Sequence, residues 1–160
     1  MKKIIFIALL LLAALVQSAL IPYVSVFGVK PDLFWIMVMC AALYFDAGTA
    51  VIFSLTCGLL KDCLGTSPFG VYIVLFPLWS IGIGCLSKRI SFDNMPVSSF
   101  VLGAMVFVNA VALRFMPFIP DGPLSFTAFM RIGVIESIYT ALVFAWIGPL
   151  VRRLAESRRW

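Results

Sequence analysis

The sequence predicts an all-α membrane protein: a six-helix transmembrane bundle with both termini in the cytoplasm. Two observations carry this. The first is hydrophobicity. Of 160 residues, 63% are apolar and only 12% are charged, and mean hydropathy is +1.13. A soluble domain of this size could not cover its surface with so little charge. The second is where the charge sits. Lys2-Lys3, Lys88-Arg89, Arg152-Arg153 and Arg158-Arg159 fall at the ends of apolar runs, where basic residues mark the cytoplasmic side. The net charge of +5 is thus read as orientation, not as a nucleic-acid surface.

The apolar runs give the elements in order. Helix 1, about 4–21, closes at Pro22. Its start, Lys2-Lys3 and an apolar run ending at Gln17-Ser18-Ala19, has the pattern of a signal peptide. The hydrophobic segments that follow favour an uncleaved helix. From Leu33 to Leu60 the chain is apolar except for Asp46 and a few small polar residues. This is either one long helix or two short ones broken at Asp46-Ala47-Gly48, an acid beside a glycine being a plausible turn.

Charge parity selects two helices. With one span across 33–60, the C-terminal arginines and Lys88-Arg89 would emerge opposite Lys2-Lys3; with two, all three clusters share a side. The helices are then about 4–21, 31–45, 48–64, 69–87, 97–117 and 127–150, in one membrane domain spanning 1–160. Helices 2 and 3 are short, since 14 residues reach only about 21 Å. They extend into their flanks or thin the bilayer, and a re-entrant hairpin fits the same parity if Asp46 stops short of the cytoplasm. Outer loops fall at 22–30, about 62–68 and about 118–126. Small residues four apart, Ala14 with Ser18 and Ser54 with Gly58, allow close helix contacts.

Ionisable groups inside a membrane helix are costly, so each is a candidate for function or for internal pairing. Glu136 lies well inside helix 6. Arg131, five residues earlier, is displaced about 140° around that helix, so Arg114 near the outer end of helix 5 is the better partner. An Arg114–Glu136 pair would hold helices 5 and 6; contact with a partner's helix or a bound polar molecule is the alternative. Asp32, after Pro31 at the first turn of helix 2, is fully explained as a helix cap. Asp62 ends helix 3, where an acid is electrostatically unwelcome, and calls for Lys30, Lys61 or a backbone turn near Gly65 to Gly70. Gln17 and Asn109 can line a cavity but more often bridge helices.

Nothing reads as chemistry. The chain has no histidine, no nucleophile set and no phosphate loop. The four cysteines, Cys40, Cys57, Cys63 and Cys85, lack metal-ligand spacing and read as small residues packed between helices. No enzyme, metal or cofactor is expected.

The ordered set Val29-Lys30-Pro31-Asp32-Leu33, Gly48, Cys57-Gly58-Leu59-Leu60-Lys61-Asp62 and Pro68-Phe69-Gly70 resembles the MreD family of bacterial rod-shape membrane proteins. Gln17-Ser18 fits the same pattern. The resemblance implies a non-enzymatic scaffold or regulator of the inner membrane that binds MreC, a single-helix membrane protein. Through MreC it would support RodA, a class B penicillin-binding transpeptidase and MreB in lateral peptidoglycan synthesis and cell shape. It marks Pro31, Asp32, Gly58, Asp62 and Gly70 as signature positions and leaves homodimerisation open.

That family is regarded as similar in fold to the substrate-binding S-components of energy-coupling-factor vitamin transporters, which supply the alternative function. Their helix 1 docks through small residues spaced by four, for which Ala14 and Ser18 are a weak match. A third reading, an ion or proton pathway, has only Gln17, Asn109 and Glu136 to work with. The scaffold reading expects Asp62→Ala to weaken partner co-purification more than protein abundance.

Overall fold

The computed structural model describes residues 2–19, 29–64, 69–90, 92, 94–114 and 126–156. They form six helices: α1 (Lys2–Ala19), α2 (Leu33–Tyr44), α3 (Ala47–Leu64), α4 (Val71–Leu86), α5 (Met95–Arg114) and α6 (Phe126–Glu156). α2, α3 and α4 run within about two residues of the expected 31–45, 48–64 and 69–87, and α6 runs on past Pro149 to Glu156; the ends of α1 and α5 and the start of α6 border residues outside the described set. A proline removes one backbone donor without preventing the next turns from forming when the flanking residues favour a helix. The expected outer loops 22–30, 62–68 and 118–126 lie largely outside the described residues.

The break at Asp46 is real. α2 ends at Tyr44, and Asp46 starts α3 by accepting from the Thr49 backbone N–H at 3.2 Å and the Thr49 hydroxyl at 2.9 Å. This is a helix N-cap, in which a short acceptor satisfies a donor that the first turn leaves orphaned. Three helical segments are long and apolar enough to cross a membrane: Ala47–Leu64, Pro96–Leu113 and Met130–Pro149. The other apolar helices, Phe6–Ala19, Leu33–Tyr44 and Val71–Leu86, are shorter.

α2 is the axis of the bundle. Its sequence, LFWIMVMCAALY, is apolar on every side, and Phe34 through Ala42 are all buried. A helix hydrophobic all round belongs inside a structure, and α2 is packed by α1, α3, α4, α5 and α6. The closest pairings are α3 with α4 and α5 with α6. At the Asp46 end, Phe6, Phe45 and Phe53 meet with ring centroids 4.6–5.2 Å apart, tying α1 to the α2–α3 hairpin. Deeper, Trp35 lies 5.0 Å from Phe76 and 6.1 Å from Trp79, edge to face. Such pairs add to burial through the ring quadrupole.

α3 and α4 approach closely because of Gly58. A Cβ placed there would lie 2.4 Å from the Tyr72 carbonyl oxygen and 2.8 Å from the Ile73 Cα. Both obstacles are backbone, so neither can swing away. Ser54, one turn earlier, is also fully buried, so the Ser54–Gly58 pair does serve a helix contact. Ala14 is buried, but Ser18 is exposed and bonds the Leu15 carbonyl of its own helix at 3.1 Å. Gly58→Ala is expected to cost about 1–3 kcal/mol, as overpacking does. Gly82→Ala and Gly84→Ala, whose added Cβ meets nothing within 4 Å, serve as controls expected to hold or gain up to about 1 kcal/mol, as alanine does in a helix interior. Thermal midpoints of the three purified variants in one detergent test this; equal midpoints would remove the close approach as a cause of stability.

The cysteines divide. Cys40 and Cys57 are buried as expected, whereas Cys63 and Cys85 are exposed. Cys85 therefore does not pack between helices among the described residues.

Candidate functional site

Among the described residues, the buried acids of the core, Asp32 and Asp62, lie at one end of the bundle, where α2 begins and α3 ends. Asp32 caps α2, accepting from the Phe34 N–H at 3.1 Å, in extended backbone geometry. The cap was expected to explain this residue fully; it does not. The second carboxylate oxygen of Asp32 is paired with the Lys61 ammonium from α3. Asp32 is only 4% exposed, and a buried charge needs such a partner. The Asp32 backbone N–H donates to the Thr140 hydroxyl of α6 at 3.2 Å. One residue thus joins α2 to α3 and to α6.

Lys61 and Asp62 are neighbours in sequence but face apart, because successive residues on a helix are about 100° apart. Lys61 turns toward α2, with its ammonium 3.9 Å from the centroid of the Tyr72 ring and 5.3 Å from that of Phe76. A cation over an aromatic face is attracted by its quadrupole, more strongly when desolvated. Asp62 turns toward α4 and accepts three backbone N–H bonds, from Gly70 at 3.0 Å, Tyr72 at 3.2 Å and Ile73 at 3.1 Å. Of the partners considered for Asp62, the turn at Gly70 is the one formed. Gly70 has φ +103°, a left-handed conformation that glycine adopts without steric cost, and it delivers those donors.

Gln17 links α1 to this end. Its side-chain amide accepts from the Leu33 N–H at 3.0 Å and donates to the Pro31 carbonyl at 3.4 Å, bracketing the start of α2. Pro31 itself is buried. Asn109 bridges elsewhere: its carbonyl oxygen accepts from the Trp79 indole N–H at 3.2 Å, linking α5 to α4.

Glu136 stands one helical turn before Thr140 on α6 and is partly buried. It is close enough to Asp32, Lys61 and Tyr72 to interact with all three electrostatically. Among the described residues it forms no hydrogen bond or ion pair. The Arg114 side chain, proposed above as its partner, lies outside the described residues. Arg131 is exposed. No group of three His, Cys, Asp or Glu among the described residues could hold a metal ion.

The structure thus brings Gln17, Pro31, Asp32, Gly58, Asp62, Gly70 and Glu136 to one end of the bundle. It adds Lys61, Tyr72 and Thr140. Nothing local in the sequence connects Thr140 with Asp32, 108 positions away. Lys61 is a cation in an apolar helix, and its partner is Asp32, 29 positions away, not the adjacent Asp62.

Compared with known families, the chain matches the family described as rod shape-determining protein MreD over residues 1–157. The chain belongs to the MreD family. Comparison with curated proteins returned no match, and neither did comparison with solved structures. MreD membership assigns the chain to rod-shape determination and to a membrane protein family, one of shape-determining proteins and not a known enzyme family. The match reaches through α6, beyond the region that carries the recognisable MreD motif.

Proposed function

We propose that this chain is a non-enzymatic scaffold of the bacterial inner membrane that binds MreC and supports lateral wall synthesis. The observation that carries the reading is how four of the signature residues, together with Gln17, are engaged. Gln17, Asp32, Gly58, Asp62 and Gly70 all fasten one helix to another. A bundle locked in this way has a fixed outer surface on which a partner helix can be seated at low ordering cost. Within a bilayer such seating relies on packing and interhelical hydrogen bonds, since lipid tails are as apolar as leucine.

In this reading all six helices cross the bilayer and both termini face the cytoplasm, as charge parity requires. The 12 residues of α2 reach about 18 Å, short of a hydrocarbon core of about 30 Å. Enclosure by five other helices relieves α2 of the need to match that thickness. The Asp32 cap, Gln17 and Thr140 supply its first turn with the partners that water would otherwise give.

A pull-down of the tagged protein from its own membranes in mild detergent, followed by mass spectrometry, tests the proposal. Recovery of a single-helix MreC protein with cell-wall synthases is expected. Recovery of a transporter subunit with paired ATPases, or of a tightly held vitamin, would replace the scaffold with a substrate-binding component.

A further inference from the structure

α4 and α5 are the consecutive helices that barely touch. Between them runs an apolar groove of about 200 Å³, lined by Trp79, Leu86, Phe100, Val101, Ala104 and Met105, with Val108 toward the Asn109 end. Its lining offers nothing to a polar ligand. The Trp79 N–H is already donated to Asn109, so the indole presents only its apolar surface. Phe100 is 77% exposed and Val108 51%, which leaves the groove open along its length.

The opposite mouth of the groove is basic. Leu86, which lines it, is followed at once by Ser87, Lys88 and Arg89. This turn is held against the helix end: the Ser87 N–H bonds the Ile83 carbonyl at 2.8 Å, and the Arg89 and Ile90 N–H groups bond the Leu86 carbonyl at 2.9 Å. Lys88 and Arg89 are both exposed, and neither has an ion-pair partner among the described residues. Asp93, the one acid in the connection to α5, lies outside those residues.

We propose that this groove holds an acyl chain of an anionic phospholipid whose headgroup phosphate is bound by Lys88 and Arg89. The juxtaposition selects the occupant: an apolar groove opens beside two exposed cations that have no ion-pair partner among the described residues. A partner helix would lay its side chains into the same groove, but nothing in that contact would engage the two cations at its mouth. A zwitterionic lipid could fill the channel, but its headgroup carries no net charge to complement the two cations. Basic residues beside grooves between membrane helices bind anionic headgroups in this manner. The inference needs α4 and α5 to lie in the bilayer; it is independent of MreC binding and of which side Lys88 faces.

Native mass spectrometry of the full-length protein, incubated separately with phosphatidylglycerol and phosphatidylethanolamine, tests it. The wild type is expected to retain phosphatidylglycerol preferentially, by roughly fivefold per cation. Lys88→Gln with Arg89→Gln should abolish the preference while leaving the thermal midpoint unchanged. Ala104→Phe, at an exposed position in the groove, should lower retention of both lipids; Val108→Trp provides a second obstruction if the first variant fails to fold. Equal retention of the two lipids by the wild type would overturn the proposal. So would a preference that survives loss of both cations, undiminished retention in a folded groove-filling variant, or a second copy of the chain bound in place of lipid.

Discussion

Lys61→Met is expected to destabilise the bundle by roughly 3–5 kcal/mol, the usual cost of removing one member of a buried ion pair. The methionine keeps an apolar stem beside Tyr72 and Phe76 but leaves Asp32, 4% exposed, without its cation. Total stability of a domain is about 5–15 kcal/mol, so this single change removes much of it. Adding Asp32→Asn should return a large part of the loss, because an uncharged pair no longer carries an unpaired ion into a low dielectric. The asparagine can still accept from the Phe34 N–H. Recovery should be incomplete, since Glu136 also interacts with Lys61 and would remain without it. Adding Glu136→Gln should recover more. Unfolding free energies of the wild type, both single variants and the double variant, in one detergent, complete the cycle. A double variant no more stable than Lys61→Met would mean that Asp32 and Lys61 do not depend on each other.

Asp62→Ala is expected to cost about 3 kcal/mol or more. Three backbone donors at the start of α4 lose their acceptor, and an orphaned buried donor costs about 1–3 kcal/mol. The favourable position of a carboxylate against the positive end of α4 is lost as well. Asp62→Asn keeps one acceptor oxygen and should fall between. This geometry changes the result expected of the partner assay. Because both Asp62 oxygens face α4, abundance and MreC co-purification should fall together. Faster amide hydrogen exchange confined first to Tyr72 and Ile73 would locate the loss. Normal abundance with lost co-purification would instead place Asp62 at the partner surface.

Much of the fold was legible in the sequence, and the reason is particular to this solvent. Each apolar run is punctuated by proline, glycine or charge, so α2, α3 and α4 could be bounded to within about two residues. The Asp46 turn followed from charge parity, which hydropathy alone could not supply. The site was legible one residue at a time but not as an assembly. The Asp32 cap and the glycine turn serving Asp62 could be read because their partners are close in sequence. The Asp32–Lys61 pair and the Thr140 contact join helices far apart in the chain, and no local pattern encodes which side chains will meet. Placing Lys61 beside Asp62 as a possible partner followed sequence proximity, where helix geometry sends the two to different neighbours.

The central position of α2 also fixes when the protein can be completed. Ribosomes deliver α2 second, yet two of the helices that enclose it, α5 and α6, are delivered last. Until then the side of α2 they will cover lacks its protein neighbours, and the Asp32 N–H waits for a hydroxyl encoded 108 residues later. An early helix, α2, is therefore among the last to reach its final surroundings. A premature stop near the end of the message would unsettle residues translated near its beginning.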